Sequence, residues 1–194
     1  MQGPPQFTPP PPNKGMPTWL IVLLTAGLGG VFVVGILAVL AIYGVRKYIA
    51  NAKQAEARNS LGQIAKDAAA EYESETISPG KPDGLCASAS TSVPASASMV
   101  RGVKYQSAAG DWSVDASRGH AGFACLRFSM DAPQYYMYSY DAVGAKKAGD
   151  HFLARANGDL DGDGVMSSFW ISGTITPGDV LSIAPQVSEK DPVE

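Results

Sequence analysis

The stretch TWLIVLLTAGLGGVFVVGILAVLAIYGV at 18–45, running without a break into RKYIANAKQAEARNSLGQIAKDAAAEYESE at 46–75, decides the fold. No charged residue occurs from Thr18 to Val45. A helical bilayer span needs about 20 apolar residues. At about 1.5 Å per residue this one is roughly 42 Å long, enough to cross and protrude. Trp19 and Tyr43 sit near its two ends, where amphipathic aromatic rings prefer the membrane interface. A cleaved secretory signal would have a core of about 7–15 apolar residues, with its basic residues in front. Here Arg46 and Lys47 follow the run instead.

The second stretch is Ala-rich and free of Pro. Leu61, Ile64, Ala65, Ala68 and Tyr72 recur at helical spacing and form one apolar stripe, while Lys53, Arg58, Lys66 and Glu73 lie off it. One continuous helix is therefore predicted from about Pro17 to Ser74, apolar all round in its first half and amphipathic in its second. Gly27, Gly29, Gly30 and Gly35 fall inside the first half. They are either ordinary membrane-helix glycines or small residues that let copies of the helix approach closely.

Upstream, residues 1–17 are dominated by Pro and read as a polyproline or disordered segment outside the fold. Downstream, Pro79, Gly80, Pro82 and Gly84 stop the helix. A small-residue surface loop, CASASTSVPASASM, follows. Short runs of strand character come next: 103–106, 123–130, 135–140, 151–156, 168–176 and 180–183. Turn residues such as Asp131-Ala132-Pro133 and Pro177-Gly178-Asp179 separate several of them. Short strands with tight turns imply an antiparallel meander. The fold class is α+β, a long helix on one face of a small sheet, with the soluble domain over 76–194. In Tyr135-Tyr136-Met137-Tyr138-Ser139-Tyr140 one alternate set should pack under the helix; Trp112 and Trp170 also read as packing residues.

The chain has 194 residues and a net charge of -3, which gives no support for nucleic-acid binding. Two His and two Cys leave little material for a catalytic triad, and no phosphate-binding Gly loop is present; no enzyme is indicated. Cys86 and Cys125 lack the C-x-x-C spacing of redox enzymes. They read as a disulfide stabilising a small domain in an oxidising compartment, the alternative being two buried thiols. Orientation carries a conflict. Lys14 precedes the span, whereas Arg46, Lys47 and Lys53 follow it, so counting cations puts the C-terminal domain in the cytoplasm. The cysteine pair points the other way.

The sharpest local motif is Asp159-Leu160-Asp161-Gly162-Asp163-Gly164. Carboxylates at positions 1, 3 and 5 with Gly at 6 match the start of an EF-hand-type loop, with Ser167 at position 9. Trp170 stands at position 12 where the bidentate Glu belongs. The two readings are a calcium site at Asp159, Asp161, Asp163 and Ser167 that braces the sheet edge, and a plain turn between strands.

The ordered combination of a bare apolar helix, its amphipathic continuation KYIANAKQAEARNSLGQIAKDAAAEYE, a loop and a disulfide-closed meander resembles a type IV pilin. NAKQAEARNSLGQI is similar to the segment just after the apolar half of many pilins. FACLRFSM, PQYYMYSY and GDLDGDGVMSSFWISG resemble the sheet of myxobacterial-type pilin-like proteins. The likeness spans most of the chain from about Met16. It implies a subunit stored in the inner membrane, its C-terminal domain periplasmic or extracellular. Its partners would be the membrane, copies of itself or other pilin subunits, and assembly machinery. Helix residues Leu20, Gly30, Gly35, Leu61, Ile64 and Ala68 would then carry assembly, and Gly15-Met16 would be the processing junction. Two departures stand out: Pro17 follows that junction, and Leu20 occupies the fifth mature position, where the family has Glu. They favour a second reading, an anchored periplasmic binding or sensing module that never polymerises.

Overall fold

The computed structural model describes Gly3, residues 15–77 and residues 84–192. The 1–17 segment, apart from Gly3 and 15–17, and the helix-stop signal at 79–82 lie outside the described residues. The chain divides into two compact units, Met1–Arg46 and Lys47–Glu194. One α-helix, α1 (Thr18–Ile77), belongs to both, as its uninterrupted pattern of helix-compatible residues requires. It is the one helix among the described residues long and apolar enough to cross a membrane.

In the second unit the stripe is buried as its spacing demands. Leu61 and Ile64 are fully buried, Ala65, Ala68 and Tyr72 nearly so, and Ala57 and Gln54 extend the stripe upward. It packs on an antiparallel sheet of β1 (Met137–Val143), β2 (His151–Gly158), β3 (Ser167–Thr176), β4 (Val180–Ile183) and β5 (Ser188–Lys190). The order is β1-β2-β3-β4, and β5 joins β3 further along its length. The helix-facing side combines large and small residues in register. The middle strand contributes Ala154 and Ala156, paired with Tyr140 and Tyr138 on one side and with Ile171 and Phe169 on the other. Aromatic rings from the flanking strands thus lean over alanines, and Tyr136, Tyr138, Tyr140, Phe152 and Phe169 are all buried. Polar contacts fix the helix register. Glu56 accepts the Tyr135 backbone N–H at 2.8 Å and the Tyr138 hydroxyl at 3.3 Å. Arg58 pairs with Glu189 at 2.5 Å, and Tyr72 donates to the Asp179 carbonyl at 3.2 Å.

Three expectations need correction. The run 123–130 is not a strand. Its start forms a short helix, α3 (Gly122–Leu126), entered through Gly122 at φ 61° and ended by Arg127 in the left-handed region. An ideal Cβ on Gly122 would also overlap the Asp115 carboxylate, so this turn needs glycine on two counts. The run 103–106 contributes only an isolated bridge between Tyr105 and Gln134. The small-residue loop after Cys86 is not merely superficial: Val93 and Val100 are buried. It lies along the outer edge of β1, where Val93 and Tyr138 exchange both backbone hydrogen bonds and the Ala89 N–H bonds the Tyr140 carbonyl. Gln134, fully buried, locks it by donating to the carbonyls of Val93 and Tyr136. The loop caps a sheet edge that would otherwise present unpaired groups.

The remaining elements are α2 (Ala109–Trp112) and two 3-10 turns, Ala97–Val100 and Ala116–Arg118. Trp112 sits in an aromatic cluster, edge-on to Phe123 and Phe128 with centroids 5.0 and 5.2 Å away. Trp170 is half-buried on β3.

Candidate functional site

Three places among the described residues carry chemistry or exposed surface that could serve a function. The largest is the first half of α1. Between Trp19 and Ile49 the large apolar side chains other than Leu20 are about half exposed or more, with Leu28 at 77% and Val31 at 72%. Gly27, Gly29, Gly30 and Gly35 have no neighbouring atom within 4 Å of an added Cβ, so their surfaces are open. Gly35 leaves a shallow dent lined by Val31, Phe32, Ile36, Val39 and Leu40. Gly15 and Met16 are exposed just ahead of the helix, and Leu20 sits in its first turn. A surface of this composition is stable against lipid or against another apolar helix, and not in water. Leu61, Ile64 and Ala68, expected to serve assembly as well, are buried in the domain core.

The second place is the acidic loop between β2 and β3. It brings oxygens of Asp159, Asp161 and Asp163 within 4.8 Å of one another. All three carboxylates cap loop backbone. The buried Asp159 takes the N–H groups of Gly162 and Gly164, at 2.7 and 2.9 Å. Asp161 takes that of Asp163, and Asp163 that of Val165. Arg101, invisible as a partner from the sequence, sets its guanidinium 3.4 Å from Asp159 and donates to the Gly162 carbonyl. Lys53 reaches from α1 to the Leu160 carbonyl at 3.0 Å. Ser167 is buried at the start of β3, where its hydroxyl donates to the Gly158 carbonyl. The carboxylate repulsion that a calcium ion would relieve is thus already reduced by an arginine and by loop N–H groups.

The third place is the covalent closure. Cys86 and Cys125 are disulfide-bonded with Cα atoms 5.9 Å apart, as the sequence reading expected. Nearby, the buried Asp115 accepts the Ser90 N–H and an Arg118 N–H, both at 2.8 Å. Burial alone would push its pKa up. The Ser90 and Arg118 contacts outweigh burial and hold the carboxyl below the ordinary Asp value. Glu56 shows the opposite balance. Desolvation between helix and sheet raises its carboxyl above the ordinary Glu value, against its Tyr135 and Tyr138 hydrogen bonds and the Lys104 charge.

The chain matches no family model, no curated protein and no solved structure at a significant level.

Proposed function

We propose that this protein is a pilin-like structural subunit, held in the inner membrane by the first half of α1 and built into a type IV pilus or type II secretion-like filament through that same surface. One observation carries the reading. A single helix is bare and apolar in its first half and locked by its second half onto a small disulfide-closed sheet. Such a division of labour suits a subunit that exchanges lipid for neighbouring helices while its domain stays rigid. The disulfide supports a periplasmic or extracellular position for the domain, since such bonds persist in oxidising compartments.

A second reading, an anchored periplasmic module that does not polymerise, is favoured by Leu20 standing where the pilin pattern has Glu. The N-terminal residue of the mature chain, read from sheared surface fractions and from inner membranes, distinguishes the two. A chain beginning at Met16 in the sheared fraction supports the filament subunit. A chain retained in the membrane with Met1 intact, and absent from sheared material, supports the anchored module.

A further inference from the structure

The disulfide has a neighbour that the structural role does not use. His120 Nδ1 lies 3.1 Å from Cys125 Sγ, and its Nε2 lies 3.0 Å from the Gly84 carbonyl oxygen. The Gly84 carbonyl and the disulfide sulfur both only accept, so the neutral ring can donate to one of them at a time; the tautomer that donates from Nε2 to Gly84 is the one a metal ion at Nδ1 needs. In that tautomer the lone pair falls on Nδ1, the atom facing the sulfur. A backbone carbonyl fixing the far nitrogen is the arrangement that orients histidines which bind metals. One ligand atom each from Cys86, His120 and Cys125 lie within 4.8 Å of one another.

We propose that, when the Cys86–Cys125 bond is reduced, Cys86 Sγ, Cys125 Sγ and His120 Nδ1 form a binding site for a thiophilic d10 metal ion, Zn2+ or Cu+. Two thiolates and an imidazole are a soft set that selects such ions over Ca2+ or Mg2+. The sulfurs must part to about 3.8 Å to share an ion at bond lengths near 2.3 Å. Cα atoms 5.9 Å apart allow this by side-chain rotation. Backbone hydrogen bonds support these segments beside the disulfide. The Leu85 N–H bonds the Ala145 carbonyl, the Ala87 N–H the His120 carbonyl, and the Gly122 N–H the Ala87 carbonyl, all within 3.0 Å. The last two hold the segment bearing Cys86 against the one bearing His120 and Cys125, and the first ties it to the turn between β1 and β2. Both cysteines are buried, whereas His120 is half-buried and gives the ion its way in.

The chemistry balances simply. A dithiol reductant gives two electrons and two protons to the disulfide and leaves as its own disulfide. The two Cys thiols then release two protons as the ion binds. The chain meets these conditions before its disulfide forms, or wherever a reducing compartment keeps it open.

The test uses the full-length chain in detergent, reduced with a phosphine, titrated with Zn2+ and separately with Co2+ as a coloured substitute. The expected result is one ion per chain, two protons released, and a thiolate-to-cobalt charge-transfer band, all absent from the oxidised protein. His120→Ala should weaken Zn2+ binding by roughly tenfold or more while leaving the oxidised fold unchanged. Equal affinity in that variant, no uptake by the reduced chain, or equal uptake by the oxidised chain would each overturn the proposal. If reduction alone unfolds the domain, Zn2+ must restore the native circular dichroism; failure to do so also rejects the site.

Discussion

Gly173→Ala adds one methyl group to a buried surface and should be costly out of proportion to its size. Gly173 lies in β3 directly opposite Phe152 in β2. An ideal Cβ built there would overlap the Phe152 ring at Cε1 and lie 2.9 Å from Cζ. The ring has nowhere to retreat. It is fully buried and stacks on Tyr140, with centroids 5.6 Å apart and planes at 27°. Overpacking of this kind costs about 1–3 kcal/mol. The backbone at Gly173 is ordinary strand, so no conformational strain adds to the figure. Urea unfolding of the full-length chain in detergent, followed through the buried Trp112, measures it. Phe152→Leu, which shortens the obstructing group, should recover part of the loss, giving a coupling of roughly 1 kcal/mol between the two sites. A loss below about 0.5 kcal/mol, or strict additivity, would mean that the two strands do not meet in this register.

Glu56→Gln keeps an oxygen for Tyr135 and Tyr138 and removes the charge. Because the folded-state value is raised, the wild type contributes fully only below the unfolded value and loses stability as pH climbs through the folded one. The variant should therefore flatten the stability profile just above the ordinary Glu range and be no less stable than wild type at pH 7. A deficit beyond about 1 kcal/mol there would show that Lys104 and the ionised carboxylate form a net-favourable pair. Gly30→Leu and Gly35→Leu meet no neighbour within the chain and improve helix propensity by up to about 1 kcal/mol each. If copies pack through these surfaces, filaments in sheared fractions should fall sharply without loss of the folded domain; unchanged yields remove the glycines from assembly. Arg101→Ala leaves Asp159 without its cation, so any latent calcium affinity of the acidic loop should rise. Thermal midpoints compared in calcium and in chelator check this, and identical midpoints in wild type and variant identify the loop as a self-capped turn.

The elements read correctly from the sequence are those whose period repeats. The stripe from Leu61 to Tyr72 completes several turns, and β1, β2, β3 and β4 each alternate over enough residues to betray a face. The failures have physical reasons. The α3 helix has five residues, too few to display a helical period, and Phe123, Cys125 and Leu126 present the apolar density of a strand. The strand β5 is Ser-Glu-Lys, without a buried residue, and is held by backbone pairing with β3 and the Arg58–Glu189 ion pair. The loop after Cys86 is held mainly by backbone hydrogen bonds, to which side-chain composition is blind. Arg101, which braces the acidic loop, stands far along the chain from Asp159, and His120 lies five residues before Cys125 in a segment without a repeating pattern. No local pattern announces them.

The bare half of α1 poses one physical problem for the two roles proposed for it, anchor and assembly element. Roughly twenty large apolar side chains left about half exposed, at ~1 kcal/mol each, would cost on the order of 20 kcal/mol in water. An apolar surface this large drives association in water until something covers it. Lipid and neighbouring helices are the two covers of matching polarity, and they differ in what they reward. Lipid tails accept any apolar surface, and large side chains serve there as well as glycine. A neighbouring helix rewards close approach, which the open surfaces at Gly30 and Gly35 permit. Leucine at those positions should leave membrane insertion intact and abolish only the second cover. A variant that fails to insert, rather than failing to leave the membrane, would break this account of the helix.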